Sequence, residues 1–305
     1  PLRGRLAEVY RYPQLANAEV VVGFNGSSKE SLTAPTVDEI TGLYVRGCDP
    51  DLIWRAVMIR IASSSLPNIN GGSLDSIITS LGADPNLYSR TLSQADEAFA
   101  RTGKTLLVVF DALDRLGRNW ESIRQLTRSL LALAVGLQSF RAIRAKIFMR
   151  VDQFADQELF RFPDSSKIKN DHVDLIWRPG ELYGLLLFEL LRDPQAGNAL
   201  EELAAREGAT AALPKTGTHI WPFAEEQVRI INGLAGEFMG TNKKRGRVYT
   251  WLPLHLSDAA QTCSPRSFLT AWKKAAEHYP APEGRAIDHL GLQEGVRQAS
   301  RSRLE

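Results

Sequence analysis

Apolar positions along this chain fall into two rhythms. Four short, nearly continuous runs are 19–24 (Glu-Val-Val-Val-Gly-Phe), 105–110 (Thr-Leu-Leu-Val-Val-Phe), 145–150 (Ala-Lys-Ile-Phe-Met-Arg) and 172–177 (His-Val-Asp-Leu-Ile-Trp). Runs of this length and kind predict strands buried on both faces of a parallel sheet. Between them, apolar residues recur at helical spacing over 37–47, 51–64, 74–81, 91–102, 120–140 and 179–192. Thr36 is the expected cap of the first helix, and Asp49-Pro50 opens the second, where Ile53, Trp54, Val57, Met58 and Ile61 share a face. Pro179 starts the last of these helices, with Leu185, Leu186 and Leu190 as core candidates. The stretch 63–73, rich in Ser, Pro, Asn and Gly, reads as loop. Strands alternating with helices predict an α/β fold, a parallel sheet with helices on both faces. After about residue 195 only the helical rhythm continues, over 196–206, 223–239, 247–258, 265–278 and 289–304, with loops at 208–221 and 240–246. The expected organisation is an α/β core over 1–195 and an all-helical portion over 196–305.

Composition narrows the class. The 305 residues are 44% hydrophobic and 24% charged, as in an ordinary soluble globular protein. The net charge of +2 gives no whole-chain field that favours nucleic acid. No apolar run reaches the roughly 18 residues that cross a bilayer, and the N-terminus has no signal-peptide pattern, so no membrane is expected. Cys48 and Cys263, far apart, read as reduced thiols of a cytoplasmic protein. The chain begins with Pro1 and its last helix runs to Glu305 without a cap, so both ends read as cut.

The candidate chemistry clusters after the second run. Asp111 follows Phe110 directly, and Asp114-Arg115 comes three positions on. Open α/β sheets bind ligands outside the C-terminal ends of their strands, and a carboxylate there can hold the magnesium of a nucleoside triphosphate, as a Walker B element does. The plainer alternative is a buried strand ending in an Asp-rich turn. Asp114 is a candidate to position water, or else a partner or cap for Arg115. Arg150, closing the third run, would face the same edge and meet a γ-phosphate, unless it pairs with Asp111, Asp114 or Asp152. The phosphate-loop pattern G-x-x-x-x-G-K-[ST] is absent. Gly103-Lys104-Thr105 precedes a strand rather than a helix. Gly23–Glu30 (Gly-Phe-Asn-Gly-Ser-Ser-Lys-Glu) is either a degenerate phosphate loop using Lys29 or an ordinary Gly-Ser turn, and the true loop is expected upstream of Pro1. Ser264 caps a helix beginning Pro265-Arg266, and Arg266 is either a nucleotide contact or a solvated first-turn arginine. His255 is open to the same two readings. Neither a zinc spacing nor a G-x-S-x-G elbow occurs. Lys243-Lys244-Arg245-Gly246-Arg247 is a nucleic-acid candidate or a solvated loop.

Taken together, these segments resemble the STAND-type and KAP-like P-loop ATPases, relatives of the AAA+ proteins. Phe110-Asp111-Ala112-Leu113-Asp114-Arg115 is similar to a NACHT-style Walker B in which a small residue replaces the neighbouring acid. Lys146–Arg150 resembles a sensor-1 strand with its terminal arginine, and Ser264-Pro265-Arg266-Ser267-Phe268-Leu269 a lid motif carrying a sensor-2 arginine. Phe162–Lys167, Leu175–Trp177 and Leu182–Leu186 are similar to stretches of bacterial members. The resemblance implies a three-layer P-loop core followed by a helical lid, with ATP and Mg2+ as cofactors. It assigns the metal to Asp111, water orientation to Asp114, and phosphate sensing to Arg150 and Arg266; Lys29 and His255 remain candidate nucleotide contacts from their positions alone. It also implies a nucleotide-dependent switch with protein partners or homo-oligomers, in bacteria often within anti-phage defence or signalling. The missing Walker A leaves a non-hydrolysing scaffold for protein contacts as the alternative.

Overall fold

Three of the four apolar runs form strands in the computed structural model, which describes residues 15–29, 31–65, 72–213, 224–259, 261–280 and 282–301. β1 (Ala18–Phe24), β2 (Thr105–Phe110) and β3 (Ile143–Ile147) pair in parallel in that order. The long β1–β2 crossover carries α1 (Val37–Val45), α2 (Pro50–Ser64), α3 (Leu74–Ala83) and α4 (Leu87–Arg101), and α5 (Trp120–Leu137) joins β2 to β3. The protein is thus mixed α/β with a small parallel sheet and many helices. It divides into two compact units, residues 1–173 and 174–305.

Local signals account for the helix starts. Thr36 Oγ1 accepts the Glu39 N–H at 3.1 Å to open α1, and Asp49 caps α2 with Pro50 in its first turn. In the first unit α2 is the centre of packing, in contact with α1, α3, α4, α5 and β1. Trp54, at its inner face, is fully buried. Its ring meets Phe24 and Phe110 edge-on at 6.3 and 5.7 Å, and its indole N–H donates to the Leu126 carbonyl of α5 at 2.8 Å. One side chain therefore joins β1, β2, α2 and α5.

Asp96 of α4 ties that helix to the start of β3. Its two carboxylate oxygens accept the Arg141 N–H at 3.2 Å and the Ala142 N–H at 2.6 Å, and Asp96 is buried. Asp96→Ala leaves two backbone donors without partners, so urea denaturation should show a loss of about 1–3 kcal/mol. Full stability in that variant would mean water replaces the carboxylate without cost.

Two sequence expectations are corrected here. The strands are not buried on both faces. Leu106, Val108 and Phe110 are buried, but Val20 and Val22 on the opposite face are each 37% exposed, and Arg144 and Lys146 are exposed. The helices in contact with strands, α2, α4 and α5, also pack on one another through α2, so they share one face; the second helical layer of the three-layer expectation is not formed by them. The fourth run, 172–177, is not a strand; Val173 is 80% and Leu175 73% exposed. Strand propensity is expressed only where a partner offers a ladder, and the described sheet offers this segment none. The loops expected at 63–73 and 208–221 lie partly outside the described residues.

Two short helices, α6 (Val151–Phe154) and α7 (Ser165–Asn170), follow β3. The second unit holds α8 (Pro179–Arg192), α9 (Pro194–Arg206), α10 (Ala224–Ala235), α11 (Val248–His255), α12 (Pro265–Ala276) and α13 (His289–Arg301). Its core is built on Tyr183, which stacks on Tyr249 at 4.3 Å and meets Phe268 edge-on at 5.0 Å. No strand is present among its described residues, only an antiparallel bridge between Phe238 and Arg247. Burial pushes the Tyr249 phenol up to about 12. The folded state therefore holds a proton that the unfolded chain releases near 10, and the associated stability, complete below pH 10, is lost as pH rises toward 12. Absorbance titration of the phenolates should show this one ionising late, together with loosening of the second unit.

Candidate functional site

The three strands end side by side at their C-terminal edge. The Asp111 N–H donates to the Phe24 carbonyl and the Phe148 N–H to the Phe110 carbonyl, each at 2.8 Å, so pairing continues one residue past the strands. Asp111 thus emerges at the sheet rim, exposed, and accepts its neighbour Ala112 N–H at 2.7 Å. Ala112 lies in the left-handed region (φ 53°, ψ 42°), an uncommon conformation for a non-glycine residue. It turns the chain sharply into the 3-10 turn Leu113–Arg115, where buried Leu113 and Leu116 hold Asp114 and Arg115 outward.

The loop after β1 packs on this turn. Gly26, at φ 68°, sits so close that a Cβ there would lie 2.8 Å from Arg115 Cδ and 2.9 Å from Ala112 Cβ, and Arg115 Nη1 donates to the Gly26 carbonyl at 3.5 Å. Gly23 is held small by Phe110, whose ring would be 2.5 Å from a Cβ at that position. Both glycines therefore serve close packing between the first two strand ends.

Arg150 lies beyond β3 rather than ending it, at the N-cap position of α6, because pairing stops after Phe148. Its guanidinium donates to Asp152 from Nε at 3.0 Å and from Nη2 at 3.2 Å, and Nη1 stands 4.0 Å from Asp114 Oδ2. The hydrogen bonds that Arg150 donates to Asp152, and then the charge of Asp152 and Asp114, push the Arg150 pKa further up. The structure thus brings Asp111, Asp114, Arg150 and Asp152 to one rim, with Arg150 engaged by two of the three carboxylates expected as alternatives to phosphate, Asp152 and Asp114. Gln153 was not foreseen. It is buried, its Oε1 accepts the Arg150 N–H at 3.4 Å, and its Nε2 has no partner among the described residues. Nothing in local sequence distinguishes it from a surface glutamine.

Lys29 is exposed in the turn after β1, its N–H donating to Ser27 Oγ at 3.0 Å, and Glu30 lies outside the described residues. The next helix, α1, begins only at Val37, its N-terminus already met by Thr36 and by the acids Asp38 and Glu39. Arg266 is exposed in the first turn of α12, capped by Ser264. His255 is exposed near the end of α11, its Nδ1 donating to the Trp251 carbonyl at 2.8 Å. Both belong to the second unit.

Among the described residues no group of three or more His, Cys, Asp or Glu side chains converges as a self-sufficient metal cage. Magnesium requires less: one or two carboxylates, with waters and substrate phosphates completing its octahedron. Asp111, just after β2, and Asp114, in the 3-10 turn that follows, are both exposed carboxylates. No family model, no curated protein and no solved structure matches the chain.

Proposed function

We propose that the first unit is a nucleotide-binding module of the P-loop ATPase type, acting as an ATP-dependent switch. The observation that carries this reading is the convergence of Asp111, Asp114 and Arg150 at the C-terminal rim of a parallel sheet, where open α/β folds place their ligands. In this reading Asp111 holds Mg2+, which would supply charge neutralisation between phosphate oxygens. Asp114 orients a water through its free carboxylate edge. Arg150, held by Asp152, exchanges its contact with Asp114 for developing phosphate charge. The unmatched phosphate-loop pattern supports a second reading, an NTPase-like scaffold that contacts proteins without hydrolysis.

Thermal melting with ATP and Mg2+ separates them. A ligand present at about 100 times its Kd stabilises by about 2.7 kcal/mol, a shift of about 5–10 °C for a unit of this size. The expected result is a shift that needs Mg2+ and disappears in Asp111→Asn. No shift, or one untouched by that substitution, removes the ATPase reading and leaves the scaffold.

A further inference from the structure

The ATP-site reading does not use the basic loop of the second unit. No Asp or Glu occurs between Glu237 and Asp258, while Lys243, Lys244, Arg245 and Arg247 all fall there. The loop is closed and shaped by backbone bonds. Val248 N–H donates to the Glu237 carbonyl at 3.0 Å and Met239 N–H to the Gly246 carbonyl at 2.9 Å, with buried Met239 and Val248 anchoring its base. At the tip, Lys243–Arg245 forms a 3-10 turn capped by Asn242, whose Oδ1 accepts the Lys244 N–H at 3.0 Å. Gly240 (φ 144°) and Gly246 (φ 88°) supply the backbone reversals. The four cations are exposed, and one acid, Glu237, opposes them through Arg247 at 3.6 Å. A fifth cation, Arg285, is exposed and packs against Gly236 at the loop's base.

An aromatic platform adjoins these charges. The Trp251 ring lies against Gly246, within 3.7 Å of where a Cβ would sit. The His255 ring stacks on Trp251 with centroids 4.0 Å apart and planes 22° from parallel. Because the Trp251 carbonyl accepts from Nδ1, the imidazole is held in place as the outer plate of a two-ring stack. Beside it Leu254 is also exposed.

A fixed cationic loop next to an exposed stacked ring matches the two components of single-strand recognition: charges that follow a phosphate backbone, and a flat face on which a base stacks. We propose that loop 243–247 and the Trp251–His255 stack form a binding surface for single-stranded nucleic acid. Lys243, Lys244, Arg245 and Arg247 contact successive phosphates, and a base stacks on His255.

The test is fluorescence anisotropy of a labelled oligothymidylate, about 20 nucleotides long, with the intact chain. About four phosphate contacts at a single-strand slope of roughly 0.7 each predict about fifty-fold weaker binding between 50 and 200 mM salt. Reversing the exposed tip (Lys243→Glu, Lys244→Glu, Arg245→Glu) should weaken binding at least tenfold without changing the melting temperature. His255→Ala should weaken it at least fivefold with the salt slope unchanged, and His255→Phe should restore it, which loss of charge alone would not explain. No binding at 50 mM salt, binding indifferent to tip reversal, equal affinity for duplex, or preference for anionic lipid vesicles over the oligonucleotide would each overturn the proposal.

Discussion

Trp54→Ala should cost the first unit about 3–5 kcal/mol, the largest loss expected from a single core truncation in this protein. The indole is fully buried and touches both strand-end phenylalanines, Phe24 and Phe110, while its N–H is bonded to the Leu126 carbonyl. Truncation opens a cavity where four elements meet and removes the indole's hydrogen bond to that helix carbonyl. Trp54→Phe keeps much of the apolar contact but loses the hydrogen bond and leaves a small void, so a smaller cost of about 1–2 kcal/mol is expected. Urea unfolding with amide exchange of β1 and β2 resolves the two. Because Phe24 and Phe110 directly precede the rim, Trp54→Ala should also abolish any ATP-dependent melting shift. Equal stability of the Ala and Phe variants would show that the edge-on ring contacts contribute little.

Gly295→Ala should destabilise the second unit by about 1–3 kcal/mol, although alanine is the better helix former by about 1 kcal/mol. Gly291 and Gly295 of α13 face the backbone of α12. A Cβ on Gly295 would overlap the Ala271 carbonyl oxygen and lie 3.0 Å from Ala271 C and 3.2 Å from Ala275 N; one on Gly291 would lie 2.8 Å from the Ala275 carbonyl oxygen. Those are main-chain atoms of a helix and cannot rotate aside, so the two helices must separate, loosening buried Phe268, Trp272 and Leu292. Gly136→Ala in α5 is the control. It has nothing within 4 Å of its would-be Cβ, and the same substitution there should raise stability by up to about 1 kcal/mol. A neutral or stabilising Gly295→Ala would mean that the helix pair relaxes freely.

Helix positions were legible to within a few residues because their causes are local. Thr36, Asp49-Pro50, Pro179 and Ser264-Pro265 mark starts that the structure places at Val37, Pro50, Pro179 and Pro265. β2 occupies the predicted Thr105–Phe110, since its β-branched run is bounded by Gly103 and Asp111. The charged rim was legible in part. Asp111 follows the strand as spacing requires, and the alternative partners named for Arg150 include the two it engages, Asp152 and Asp114. The Gly26–Arg115 contact was not legible, for it joins residues through the fold rather than along the chain; Gln153 bonds locally to Arg150, but its burial is set by the fold.

What adjacent residues settle among themselves, the helix caps, the apolar periodicities and the carboxylate placed just after Phe110, could be read before any coordinates. Three matters depended on distant partners. The sheet packs helices through α2 on one face and leaves Val20 and Val22 partly exposed on the other; 172–177 has strand-forming residues but no ladder to join; and Arg150 comes within 4.0 Å of Asp114 from the neighbouring strand end. Periodicity records a side chain's preference for burial or extension, whereas the surface that satisfies it comes from other parts of the chain and exists only once they have packed.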